Sequence, residues 1–544
     1  MTVTTHSRGP LGVWRGDAQT CRRDPLAIAA LLGRVHEPLA LVGDRDDLGV
    51  APGGDVTWDR SESGLALHGV VPACPLEHLG DPSFAREHGA RFNLVGGAMA
   101  GGIASVAMVE AFARAGMLAF FGAAGLGLGA VEDAIAGLST RLLDRPWGSN
   151  LIHSPYEPKL EEAVVDLYLR HGVRTVSASA YLDLTLPLLR YRYAGIERDA
   201  QGVVRATNRV VAKVSRAEVA RKFFGPPSET WLRALVESKA LTAAQAELAA
   251  TLPVATDLTA EADSGGHTDN RPALTLVPSM LALRDAVAQT FPAAARIRVG
   301  AAGGIGTPHA AAAAFAMGAA YLVTGTINQA CIESGTSDAV RARLAEASEA
   351  DVTMAPAADM FEMGVELQVL RRGTLFPMRA RKLWELYRTY DSLDALPDDE
   401  RQGLERTVFR KPMAQVWQDT ATFWQGRDPE QVVKAERDPK HKMALCFRAY
   451  LGQASRWANQ GLTEREPDYQ VWCGPAIGGF NAWTAGTDFA APEHRRVVPI
   501  SLSLLHGAAV LSRLSALRAQ GVHIGADALD LRPRPVAQIE ELCL

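Results

Sequence analysis

Ile297-Arg-Val-Gly-Ala-Ala-Gly-Gly-Ile-Gly-Thr-Pro-His-Ala-Ala-Ala-Ala-Ala-Phe-Ala-Met-Gly-Ala-Ala-Tyr-Leu-Val-Thr-Gly-Thr326 is the stretch on which the fold assignment turns. It reads as a short apolar run, Ile297 to Ala301, a glycine loop at Gly303-Gly304-Ile305-Gly306, a helix from Pro308 to Met317, and a second apolar run from Tyr321 to Gly325. Strand, loop, helix and strand in that order form the repeating unit of a parallel sheet, whose strands are apolar throughout because both faces are covered. No Asp, Glu, Lys or Arg occurs between Val299 and Ile332, a stretch longer than the roughly 20 residues that cross a bilayer. The break at Gly303, Gly304, Gly306, Thr307 and Pro308 would leave open backbone in lipid, so the segment is expected in a protein core and not in a membrane.

Working outward, the same alternation recurs from about Arg91. Strands are expected at Phe92–Val95, Met117–Phe121, Gly148–Ile152, Arg174–Ala178, Arg209–Lys213, Val254–Glu261, Ile297–Ala301 and Tyr321–Gly325. Helices are expected between them, among them Ala104–Ala115, Val131–Leu143, Pro158–His171, Pro278–Thr290 and Pro308–Met317, several with Pro in the first turn. Eight strand–helix units predict an α/β fold, a (β/α)8 TIM barrel, over residues 89–348. Leu184–Asn208 and Pro226–Leu252 exceed the simple repeat and are expected as helical insertions, either a lid over the barrel mouth or surface decoration. Residues 1–88 form a small N-terminal unit. Six of the ten Trp lie between Trp384 and Trp483, and that shift marks a mostly helical C-terminal domain over 349–544.

The 544 residues carry 56 Lys and Arg against 61 Asp and Glu, a net charge of -5 that offers no global field for a polyanion, so nucleic acid is not expected as a ligand. Hydrophobic residues at 47% and charged residues at 22% exclude a disordered or fibrous chain. The six cysteines are scattered without a Cys-x-x-Cys pair, and Met1–Pro10 lacks the apolar core of a secretory signal, so reduced thiols in a cytoplasmic protein are expected. No His, Cys and carboxylate spacing suggests a metal.

Gly303–Gly306 and Gly325-Thr326 follow the seventh and eighth strands, where barrels bind phosphate with loop N–H groups and a helix N-terminus. Gly122-Ala-Ala-Gly-Leu-Gly-Leu-Gly129 is not read as a dinucleotide fingerprint, because the next strand ends Ser149-Asn150-Leu151-Ile152 without the acidic residue a ribose needs. The loop Gly96-Gly97-Ala98-Met99-Ala100-Gly101-Gly102 offers small residues against which a flat ring can lie. The sixth strand runs into Glu261-Ala-Asp263-Ser264-Gly265-Gly266-His267-Thr268-Asp269-Asn270-Arg271, at the rim where barrel chemistry occurs. His267 suits proton or hydrogen-bond donation near neutral pH. Lys213, ending the fifth strand, can pair with Glu261 or with Asp263.

Ala98-Met99-Ala100-Gly101-Gly102-Ile103, the Gly-Gly-His267 loop, Ala302–Gly306 and Gly325-Thr326 together resemble the FMN-dependent barrels of nitronate monooxygenases and flavin-type enoyl-ACP reductases. Ala212-Lys213-Val214-Ser215, Glu261–Asp269, Ala355-Pro-Ala-Ala-Asp-Met-Phe-Glu362, Gln368-Val-Leu-Arg-Arg-Gly373 and Gln470-Val-Trp-Cys-Gly-Pro475 are closer still to the PfaD-type enoyl reductases. These are trans-acting subunits of polyunsaturated fatty acid and trans-acyltransferase polyketide synthases. Asp263-Ser264 departs from the small, uncharged residues of the plainer reductases. The resemblance implies that hydride from NADPH reaches a 2-enoyl thioester on an acyl carrier protein by way of FMN. It implies that Ala98, Met99, Ala100, Asn150, Lys213, Glu261, Gly266, Gly303, Gly304, Gly325 and Thr326 line FMN, with His267 over its reactive face and Lys213 and Asp263 as further catalytic candidates. A homodimer is compatible with it.

Two other readings stay open: an oxygen-using FMN oxidase like the nitronate monooxygenases, and a non-catalytic assembly component of a synthase. One window runs against the global charge. Arg371, Arg372, Arg379, Arg381, Lys382 and Arg388 face a single acid, Glu385, and are expected to steer an acidic carrier.

Overall fold

The computed structural model describes residues 2–3, 9–44, 47–153 and 157–543, so most of the Met1–Pro10 start lies outside it. Eight parallel strands close into a barrel: Leu94–Gly96, Leu118–Phe121, Trp147–Ile152, Thr175–Ser179, Arg209–Val214, Asp257–Glu261, Arg298–Ala302 and Leu322–Thr324. Each strand pairs with the next in the chain, and Thr324 against Gly96 completes the ring. All eight expected runs are strands. The sixth begins three residues later than expected, at Asp257. Thr175–Ser179 and Arg298–Ala302 are buried along their whole length, as a sheet wrapped in helices requires. Residues 297–326 resolve into strand, glycine loop, the helix Pro308–Ala316 capped by Thr307, and strand.

One helix begins earlier than its proline suggested. It spans Ala273–Ala288 and holds Pro278 inside. The hydrogen bond lost there would have gone to Leu274, a residue 74% exposed whose carbonyl water can serve instead.

The two insertions form no lid over the mouth and lie at the other end of the barrel. Leu186–Tyr193, within the segment 184–208, is the crossover helix after the fourth strand, and Ala217–Phe224 is the one after the fifth. Tyr191 donates its hydroxyl to the carbonyl of Val173 (2.9 Å), Arg192 donates to that of Asn208 (2.6 Å), and Tyr193 to that of Leu252 (3.1 Å). Each of those carbonyls precedes a strand. The extra residues, including Glu229–Glu237 and Ala243–Ala249, are therefore added after the chain has run back to the N-terminal rim, away from the strand ends that carry a site.

The same rim is plugged by Pro82–His88, whose Phe84 stacks on Tyr321 inside the barrel at 4.1 Å. Ahead of this plug, residues of the small N-terminal unit form a five-stranded antiparallel sheet around Trp14. The C-terminal region, expected as one helical unit, divides in its packing. Val352–Pro356 and Glu366–Leu370 join Gly266–His267 in a three-stranded antiparallel sheet, and helices from Phe376 to Gln460 gather around their own core of Phe361, Phe376, Phe447 and Tyr450. From Tyr469 the chain returns to the core of the barrel. The helix Val497–Ala519 is long and apolar enough to cross a membrane, but 78% of its apolar window is buried, and Pro308–Ala316 is among the helices it packs against.

Candidate functional site

At the C-terminal rim the glycine loop follows the seventh strand. Gly304 has φ +72°, a conformation glycine adopts without strain, and a Cβ built on it meets no atom within 4 Å. Gly325 likewise faces open space. The N-terminus of Pro308–Ala316 begins beside this loop, its first turn held by Thr307, which accepts from Ala310 N at 3.3 Å. Open backbone and a helix N-terminus side by side are suited to an anion. The donors and the space fit the phosphate of FMN.

The first loop is joined to the second by hydrogen bonds from Gly101 N to Ala124 O (2.7 Å) and from Gly102 N to Gly122 O (2.9 Å), which fixes Ala98, Met99 and Ala100 as half-buried residues at the mouth. Gly122 is glycine for packing: a Cβ there would lie 1.8 Å from the Met99 carbonyl. That contact accounts for the glycine without a nucleotide. Asn150, buried on the third strand, donates to the Ser177 carbonyl at 3.0 Å.

Lys213 and Glu261 form an ion pair across the fifth and sixth strands, and Ser264 donates to the same carboxylate oxygen of Glu261 at 3.1 Å. Of the two partners open to Lys213, the structure thus selects Glu261. Asp263 turns instead to Gln368, whose amide donates to its carboxylate at 2.8 Å and to the Ser264 carbonyl at 2.9 Å.

The loop that carries His267 is held from three sides. Asp269 accepts from Ser215 (2.5 Å) and from both arms of Arg216 (2.9 and 2.8 Å), and the Arg216 bond holds its carboxyl down at about 2. Gly265 crosses Gly474 so closely that a Cβ on Gly474 would lie 2.7 Å from Gly265 N. Gly266 and His267 pair as a short strand with Gln368 and Leu367. His267 Nε2 lies 3.1 Å from Asp359 Oδ1, with the imidazole about a third exposed. Burial works to lower the pKa of His267, but the charge and hydrogen bond of Asp359 outweigh it and hold the imidazole above its ordinary value. Asp359, also disfavoured as an anion by burial, is kept below its ordinary value by His267.

Asp359, Gln368 and Gly474 had no assigned role in the sequence, although each lies in a quoted motif. Gly474 N also donates to Thr326 Oγ1 at 3.1 Å, so the segment from Val471 to Pro475 closes over the eighth loop. The arrangement joins an anion cradle, a half-buried Lys–Glu pair and a histidine paired with an aspartate, all at one barrel mouth.

Comparison with known proteins agrees with this geometry. Residues 90–380 match the family described as nitronate monooxygenase, and residues 390–469 match the inserted helical domain of [acyl-carrier-protein] S-malonyltransferase. The chain is 50% identical over 456 residues to one component of the polyunsaturated fatty acid synthase of Thraustochytrium sp., covering 82% of this chain and 30% of that protein. It is 43% identical over 436 residues to the polyketide biosynthesis protein PksE of Bacillus subtilis, covering 80% of this chain and 56% of PksE. The chain thus spans a part of these longer curated relatives. Among solved structures, the enoyl reductase domain of MlnA, from the macrolactin cluster of Bacillus amyloliquefaciens, is 37% identical with a TM-score of 0.77, over 81% of this chain and 100% of that domain. The chain therefore belongs to the nitronate monooxygenase family of FMN-type oxidoreductases, in the PfaD-type enoyl-reductase group whose motifs it carries.

Proposed function

We propose that this protein reduces the 2,3 double bond of 2-enoyl thioesters borne on an acyl carrier protein during polyketide or polyunsaturated fatty acid synthesis. The observation that carries the reading is His267, hydrogen-bonded to Asp359 at the mouth that also holds the Gly304 cradle. The likeness to the MlnA enoyl reductase domain supports the same reaction. FMN, when bound, supplies the route by which hydride passes from NADPH to the enoyl Cβ. Gly304, Gly325 and Thr326 would hold its phosphate, while Ala98–Ala100, Asn150, Lys213 and Glu261 would border its ring.

Hydride arrival at Cβ puts negative charge on the thioester oxygen, and a proton must then reach Cα. With Nε2 turned to Asp359, Nδ1 of His267 is the nitrogen available to the substrate. An imidazolium there can donate a hydrogen bond to the oxygen or the proton to Cα. Lys213 adds positive charge at the same mouth, tempered by Glu261.

Anaerobic spectroscopy of the purified protein tests the reading. NADPH should bleach a flavin spectrum without oxygen, and an enoyl thioester should restore it. A flavin that NADPH leaves oxidised but a nitronate reduces would make the protein a monooxygenase instead.

A further inference from the structure

The structure sorts the cations of the window 371–388. Arg379 turns inward to the buried Asp468, which Arg410 and Arg465 also approach at 3.2 and 3.3 Å. It belongs to the interior and is not available to a partner. Lys382 pairs with Glu400 at 2.6 Å, and Arg372 lies 3.7 Å from Asp351. Arg371 and Arg381 have no carboxylate within 4 Å among the described residues.

Arg371, Arg372, Arg381 and Lys382 line an open groove of about 550 Å³ on this face. Its apolar part includes Pro377 and Met378, and Met378 is 63% exposed. Two acids also line it, Asp351 and Glu385, and Glu400 and Glu346 (3.8 Å) offset Lys382 and Arg372, so the cations left without a carboxylate partner among the described residues of this groove are Arg371 and Arg381, beside its apolar centre. On a chain of net charge -5 this is a local reversal, and it would draw an acidic partner to one place.

The groove is also tied to the site. Thr353 lines it, and Arg381 donates to the Met354 carbonyl at 2.9 Å, both on the strand Val352–Pro356. That strand pairs with Glu366–Leu370, which pairs with Gly266–His267. Two strand spacings, about 10 Å, therefore separate the groove wall from the His267 backbone.

We propose that this groove docks an acidic, amphipathic helix of the carrier protein, its carboxylates on Arg371, Arg372 and Arg381 and its apolar ridge on Met378. The thioester arm then crosses the edge of the three-stranded sheet to reach His267. The proposal rests on the function proposed above.

The test compares the wild type with the double variant Arg371→Glu/Arg381→Glu, on crotonyl thioester carried by an acidic carrier protein and on crotonyl-pantetheine. The variant should show a KM for the carrier-borne substrate raised on the order of tenfold, with kcat kept and the salt dependence of kcat/KM flattened. Turnover of crotonyl-pantetheine should be unchanged. A carrier whose acidic helix residues are changed to Lys should recover part of the loss. Equal losses on both substrates, or an unchanged KM for the carrier, would overturn the docking site while leaving the reductase reading intact. A wild type that reduces neither substrate would overturn that reading and the docking site with it.

Discussion

Asp257 and Glu261 open and close the sixth barrel strand, and each faces a cation from a neighbouring strand. At the lower end Asp257 is sealed between His88 (2.8 Å) and Arg298 (2.5 Å), and Arg298 also donates to the Ser83 carbonyl at 3.0 Å. Nothing there faces solvent or open space except a tenth of the Arg298 side chain. At the upper end Lys213 and Glu261 stay partly exposed, beside a cradle with room for another group. The same residue types serve structure at one end and a site at the other. What separates them is burial: the lower group is shut away from water, while the pair at the mouth stays partly exposed beside open space.

The largest effect is expected at the sealed end. Asp257→Ala leaves Arg298 buried without its counter-ion and His88 without its hydrogen-bond partner, and should lower stability by about 3–5 kcal/mol, read from denaturant unfolding. Burial raises the Asp257 pKa, but His88 and Arg298 outweigh that and hold it below the ordinary value. The stability it lends is therefore present above the unfolded pKa of roughly 3.9 and lost as pH falls through the lowered folded value. A stable Asp257→Ala protein with altered turnover would erase the contrast between the two ends.

At the open end, Gly304→Val places a side chain where the backbone has φ +72° and nothing stands within 4 Å. The strained backbone should cost about 1–3 kcal/mol, and the side chain should fill the cradle. The purified variant should keep its circular dichroism and lose its flavin absorbance. Full flavin content would move the phosphate elsewhere.

His267→Ala should keep flavin and fold and lose at least about tenfold in enoyl reduction, roughly 1.4 kcal/mol in the barrier. Reduction by NADPH should suffer less than reoxidation by the enoyl thioester, since only the second half needs a proton. If stopped-flow traces of both halves match the wild type, His267 only shapes the loop, and Lys213 becomes the catalytic candidate.

The smallest effect is a displacement of pH dependence. The raised pKa of His267 means that its pairing with Asp359 lends stability below the unfolded value of roughly 6.5, lost as pH rises through the folded one. Asp359→Asn removes the raising charge. The decline of kcat/KM with rising pH should then begin at lower pH than in the wild type. An unmoved profile would mean that His267 does not act as an acid.

Eight apolar runs, the glycine loops after the seventh and eighth strands, and a histidine just past the sixth were legible in the sequence, and the barrel follows from them. These are local signals: a covered strand needs an unbroken apolar run, and a backbone that must approach an anion needs glycine. Tertiary structure alone decided which rim received the segments 184–208 and 226–252, because loop length does not tell whether extra residues come before or after the crossover helix. It alone chose the partners of the charged groups. Asp359 lies 92 residues beyond His267, Gln368 lies 105 beyond Asp263, and Gly474 lies 148 beyond Thr326. It also turned Arg379 inward to Asp468 while Arg371 and Arg381 have no ion pair among the described residues. Pairing of charges depends on distance through space, and no spacing along one chain encodes which distant carboxylate the fold brings within reach.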